Sequence, residues 1–128
     1  MCPIMLQLVN DGHAKCVDSY GDQKLLRFGA CHHKGYNQFW QLTNKGQIRQ
    51  SAKTFLCVNV DKPRVAIRCT GNPEWVYQED RTLMNPSTGL CLQPSLKKNN
   101  DHFIMAECRG TQWQKWRFHL KELPDFVK

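Results

Sequence analysis

Three cysteine pairs at a near-constant step, an aromatic trailing each pair, and short apolar runs without helical periodicity predict an all-β fold built from one unit of about 40 residues written three times. Cys16, Cys57 and Cys91 form one ladder of the repeat, and Cys31, Cys69 and Cys108 a second. Trp40, Tyr77 and Trp116 are read as the third. About four strands per repeat gives about twelve, and closing them around a threefold axis protects edges that would otherwise invite aggregation. That architecture is a β-trefoil. An open sandwich also uses short strands, but it gives no reason for cysteines and aromatics in phase three times.

The elements follow in order. In the first repeat, about residues 5–45, apolar runs at 6–9, 16–17, 24–28 and 39–42 fit short strands. In the second, about 46–82, the runs lie at 47–49, 55–58 and 65–69. In the third, about 83–121, they lie at 82–84, 90–92, 103–106 and 116–120, and 122–128 is a tail outside the repeat. Turn chemistry separates the runs: Asn10-Asp11-Gly12, Asn44-Lys45-Gly46, Gly71-Asn72-Pro73, the Asn85–Gly89 stretch and Asn99-Asn100-Asp101.

With 128 residues the chain suits one domain, 1–128, with one apolar core. Four Trp, six Phe and three Tyr argue for a packed globule rather than disorder. No apolar run approaches the roughly 18 to 20 residues that span a bilayer, so no membrane contact is expected from this chain. The opening residues lack the basic lead of an export signal, which points to a piece of a longer protein.

Seven cysteines in so small a domain mean disulfides or metal ligands. There is no C-x-x-C motif, so disulfides are expected and no metal is. Pairing within repeats, Cys16 with Cys31, Cys57 with Cys69 and Cys91 with Cys108, closes loops of about 12 to 18 residues. Cys2 is then the odd one out. The net charge of +7 allows a polyanion partner, but the basic residues are scattered and interleaved with acids, so nucleic acid is not an expected partner.

The first repeat reads Cys16-Val17-Asp18, then Cys31-His32-His33-Lys34-Gly35-Tyr36-Asn37-Gln38-Phe39-Trp40. This resembles the ricin-type lectin module, whose repeats carry C-x-D and later N-Q-x-W. The stretch from Cys31 to Arg49 resembles in particular the C-terminal lectin domain of polypeptide N-acetylgalactosaminyltransferases, and the likeness runs over roughly residues 6–120. It implies a sugar site made by Asp18, His32 and Asn37. The chemistry suits those residues: a carboxylate accepts from adjacent hydroxyls, and an amide both donates and accepts. Where the family often places an aromatic, two positions before the second cysteine, this chain has Gly29, so Phe28 and Tyr36 are the candidates for the stacking face. The plainer alternatives, less favoured, are a turn or capping role for Asp18, a turn-stabilising one for Asn37 and a surface position for His32. Trp40, Tyr77 and Trp116 read as core plugs, with Gln38 and Gln114 satisfying backbone groups beside them.

The second repeat has Asn59 in place of the aspartate, and allowing one deletion sets Glu74 where Asn37 stands. The third has Gln93 and Trp113 at those positions. One sugar site, in the first repeat, is therefore expected. The resemblance implies N-acetylgalactosamine or galactose on a glycopeptide as ligand and the catalytic domain of a longer parent chain as partner. It also implies residence in the Golgi lumen, as part of a type II membrane glycosyltransferase, or secretion. No catalytic residues and no cofactor are expected in this chain, although the parent is expected to be an enzyme. Two other classes stay open: an interaction domain whose sugar site has decayed, and a basic trefoil that binds polyanions.

Overall fold

The computed structural model describes residues 6–19, 21, 23–31, 38–95 and 102–120. Among these are twelve strands. The first repeat contributes β1 (Leu6–Asn10), β2 (Lys15–Ser19), β3 (Leu26–Gly29) and β4 (Trp40–Leu42). The second contributes β5 (Ile48–Gln50), β6 (Leu56–Val58), β7 (Ala66–Arg68) and β8 (Val76–Tyr77). The third has β9 (Leu83–Asn85), β10 (Leu90–Pro94), β11 (Phe103–Glu107) and β12 (Trp116–Leu120), with a one-turn 3-10 helix at Gln112–Gln114.

The sheets do not coincide with the repeats. Their orders are β12-β1-β2-β3, β4-β5-β6-β7 and β8-β9-β10-β11, so the last strand of each repeat pairs with the first strand of the next. The ring closes where β12 returns to β1, antiparallel, from Leu6 opposite Leu120 to Asn10 opposite Trp116. This all-β, threefold arrangement is the β-trefoil expected from the sequence, and each repeat holds one disulfide: Cys16–Cys31, Cys57–Cys69 and Cys91–Cys108. Of the twelve strands only β8 had no apolar run of its own in the sequence, because two residues are too few to alternate.

Pairing registers identify the equivalent core positions. Val9 faces Cys16, Arg49 faces Cys57 and Met84 faces Cys91, so the preceding residues Leu8, Ile48 and Leu83 correspond, and all three are fully buried. Val17, Val58 and Leu92, each following a first cysteine, form a second buried layer. A third layer is made of tryptophans whose indole N–H reaches that second layer. Trp40 donates to the Val17 carbonyl at 3.0 Å, Trp75 to Val58 at 2.9 Å and Trp116 to Leu92 at 3.0 Å.

The aromatic ladder is therefore Trp40, Trp75 and Trp116, which corrects the assignment of Tyr77. Trp75 is 2% exposed, whereas Tyr77 is half-buried at the margin of the core with its hydroxyl donating to the Trp116 carbonyl. The loop from second cysteine to aromatic is simply shorter here, running from Cys69 to Trp75 rather than from Cys31 to Trp40 or Cys108 to Trp116.

Polar side chains tie neighbouring repeats together. Asn10 accepts from the His13 N–H within its own turn and donates to the Trp113 carbonyl. Its counterpart Asn85 accepts from the Thr88 N–H and donates to the Glu74 carbonyl. Asp11 accepts from both Arg81 and Arg117, joining the first turn to the β8–β9 connection and to β12. Partial burial raises the Asp11 carboxyl pKa, but the hydrogen bonds from Arg81 and Arg117 outweigh it and hold the group below its ordinary value of 3.8. A carboxylate depressed in the folded state stabilises above its unfolded pKa, and that stability fades as pH falls through the folded value. Urea midpoints of the wild type should thus exceed those of Asp11→Asn at neutral pH and converge with them as pH falls through the folded value. A gap that does not change with pH would mean the cluster adds nothing through charge.

Candidate sugar-binding site

Asp18 lies on β2, two residues after Cys16, and strand alternation puts it on the face opposite Val17. Its cross-strand partner is Arg27 on β3. The residue is only 4% exposed, and its carboxylate rests against the backbone of Gly29. A Cβ built on Gly29 would stand 2.2 Å from Asp18 Oδ2 and 3.7 Å from Gln38 Nε2. In this chain, with glycine at that position, the carboxylate occupies the space a side chain would need. Gly29→Ala is expected to drive the Asp18 carboxylate out of place while the trefoil persists. Near-native thermal stability with altered amide shifts at Asp18 and Gln38 would show this, and unaltered shifts would refute it.

Gln38 is 1% exposed and anchors the loop that leads to Trp40, with Nε2 donating to the Ala30 carbonyl at 2.9 Å. It also accepts from Gln7. Gln114 does the same work in the third repeat: Nε2 donates to the Glu107 carbonyl, and Oε1 accepts from the N–H groups of Arg109 and Gly110. Each glutamine, two residues before its tryptophan, fastens the segment around the second cysteine. In the second repeat Pro73 holds that position and has no amide to offer.

The structure brings Asp18, Gly29 and Gln38 together. His32, Tyr36 and Asn37 lie outside the described residues. Phe28 is not a stacking face for a ring held by Asp18, which corrects that expectation. It pairs with Val17 across the strands, on the opposite face, and joins a cluster with His13, Phe103 and Trp116 at centroid distances of 4.5, 4.9 and 6.2 Å.

In the sister repeats the equivalent groups are amides with hydrogen-bond partners in their own lobes. Asn59 donates to Glu74 Oε1 at 3.0 Å, and its own oxygen accepts from the N–H groups of Asp61 and Lys62. Glu74, 8% exposed, also accepts from the Val60 N–H and from the Thr70 hydroxyl. Counting back from Trp75 rather than Tyr77 moves the counterpart of Asn37 from Glu74 to the exposed Asn72, and Glu74 becomes a plug that saturates Asn59. This plug was missed because it depends on the corrected aromatic. In the third repeat Gln93 Oε1 accepts from Gln114 Nε2 at 2.8 Å. Trp113 meanwhile lies on the backbone of Gly12, where a Cβ would meet its ring at 2.2 Å, and edge-on to His13. Among the described residues no group of three or more His, Cys, Asp or Glu side chains is arranged to hold a metal ion.

Comparison with known proteins follows the same lines. The family model for the ricin-type beta-trefoil lectin domain matches residues 5–116. Polypeptide N-acetylgalactosaminyltransferase 4 of Mus musculus is 33% identical over 106 residues, covering 73% of this chain and 18% of that protein. The chain thus spans about a fifth of the length of the curated relatives it matches. Among solved structures, GalNAc-T7 with UDP, GalNAc and Mn2+ superposes with a TM-score of 0.71 at 22% identity, over 88% of this chain and 22% of that one. The C-half of the earthworm R-type lectin in complex with GalNAc gives 0.75 at 16% identity, over 93% of this chain and 100% of that one. These two likenesses speak for the fold, and the family match for kinship: the chain belongs to the ricin-type β-trefoil lectin domain family.

Proposed function

We propose that this domain binds a terminal N-acetylgalactosamine or galactose residue on glycopeptides through one site in the first repeat. Asp18 is its principal acceptor, and Asn37 and His32 complete it. The observation that carries this reading is the contrast among the three lobes. Only the first keeps a carboxylate two residues after the first cysteine, seated on a glycine that leaves it room, whereas the second and third have the amides Asn59 and Gln93 there. The domain does no chemistry and uses no cofactor. In a longer parent of the N-acetylgalactosaminyltransferase type, located in the Golgi lumen or secreted, it would hold already glycosylated peptide near a catalytic domain and so raise its effective concentration there.

A shallow monosaccharide site gives dissociation constants on the order of millimolar, about −4 kcal/mol. Hydrogen bonds to a charged group contribute about 1.5 to 3 kcal/mol, so Asp18→Ala should weaken binding by roughly tenfold or more. The test is a chemical-shift titration of the domain with N-acetylgalactosamine, repeated on Asp18→Ala. Saturable shifts that centre on the first repeat and vanish in the variant are expected. Equal affinity in the two proteins would overturn the site. Steep weakening with salt would point instead to a polyanion ligand.

A further inference from the structure

A cleft of about 990 Å³ opens between β7 of the second repeat and β11 of the third, apart from Asp18 and Gly29. Among the described residues its rim carries Lys62, Arg64 and Arg68 against one acid, Asp61. None of the three cations takes part in an ion pair among the described residues. The floor is apolar, formed by side chains that include Val65, Ile67 and Ile104, the last of them 38% exposed. Both walls end their sheets, but along β7 the chain's own segment 23–26 already occupies the edge from Arg64 to Ala66, with Leu25 bridged to Val65, so the edge left for another chain is that of β11 and, on β7, of Arg68.

The β7 edge already accepts extended chain. The Gln23 N–H donates to the Ala66 carbonyl, and the Ala66 N–H to that of Lys24. Main-chain groups of a strand point alternately to its two sides, so two residues on Arg68 presents its own to the same side as Ala66. We infer that this cleft is a docking groove for an extended acidic peptide segment bearing an apolar side chain. Main-chain pairing along an edge gives affinity and alternate side-chain pockets give specificity, which is how strand addition works. The rim cations would meet carboxylates, and the floor the apolar side chain between them. A sulfated glycan fits less well. It gains nothing from an aliphatic floor, and the one aromatic among the described lining residues, Phe103, is 1% exposed and offers no ring to stack on.

The inference is independent of the sugar site. The probe is a fluorescein-labelled peptide, Asp-Glu-Asp-Leu-Phe-Glu-Asp-Glu, followed by fluorescence anisotropy against the whole domain. Saturable binding is expected, weakened roughly tenfold or more in Arg64→Glu/Arg68→Glu and by a similar factor when Leu-Phe is replaced with Ser-Ser. Ile104→Ser, at an exposed position, should also weaken it, with the fold verified by amide spectra. Binding of free N-acetylgalactosamine should be the same in all these variants, so the two sites fail separately. The proposal is overturned if the peptide does not bind the wild type at about 1 mM, or if the Ser-Ser peptide binds as tightly. In the latter case competition by a heparin octasaccharide or by phosphatidylserine vesicles would identify a face for polyanions.

Discussion

Reduction of the three disulfides is expected to unfold this domain at 37 °C. The bonds close loops with sequence separations of 15, 12 and 17 residues. On the chain-entropy model each contributes about 3 kcal/mol by restricting the unfolded state, roughly 9 kcal/mol together. The whole stability of a domain is typically about 5 to 15 kcal/mol. Each bond also clamps the hairpin in the middle of its repeat, because one partner lies on β2, β6 or β10 and the other just beyond β3, β7 or β11. Near-UV circular dichroism reads the outcome well, since Trp40, Trp75 and Trp116 are all buried. Loss of that signal in reductant, and its return on reoxidation, is the expected result. A reduced domain with its native near-UV spectrum at 37 °C would show that ring closure through β1 and β12 suffices alone. Removing only Cys57 and Cys69, as a double alanine variant, should cost about 3 kcal/mol.

The second large effect is expected at Trp75. Truncation to alanine leaves a cavity in the shared core and removes the indole hydrogen bond to the Val58 carbonyl, and large buried aromatics lose about 3 to 5 kcal/mol on such a change. Tyr77→Phe removes one hydrogen bond at the margin of the core, to the Trp116 carbonyl, and should cost about 1 kcal/mol. The order of these two effects discriminates the two possible ladders. Chemical denaturation of both variants gives it directly, and a larger loss at Tyr77 would reinstate the tyrosine as the third rung.

That pair also marks where reading the sequence stops. Cysteine spacing made the threefold repeat, the disulfide partners and eleven of the strands legible, because covalent pairing and period-two alternation are local properties of the chain. Loop length is not local in that sense. The segment from Cys69 to its aromatic is shorter than its sisters, and it takes the burial and the indole hydrogen bond to Val58 to tell Trp75 from Tyr77. The candidate site was legible in part. Asp18 follows its cysteine at a fixed offset, so the strand alone decides its face. Phe28 looked available because a sequence does not say which side of β3 meets the aromatic cluster, and Glu74 was hidden behind the same misplaced aromatic. Gly29 read as a gap in the motif, when it is the room that the Asp18 carboxylate occupies.

Strand exchange between successive repeats bears on ancestry as well as on folding. One repeat excised alone would have an opening strand and a closing strand each lacking a neighbour, and three identical copies would satisfy one another by the same handover that joins β4 to β5, β8 to β9 and β12 to β1. A trimer of short peptides is thus a physically complete precursor, and fusing its genes end to end would leave every sheet as it is. Once fused, the lobes answer to different selection. The residue two places after the first cysteine can differ from lobe to lobe without loosening the ring, as Asp18, Asn59 and Gln93 do.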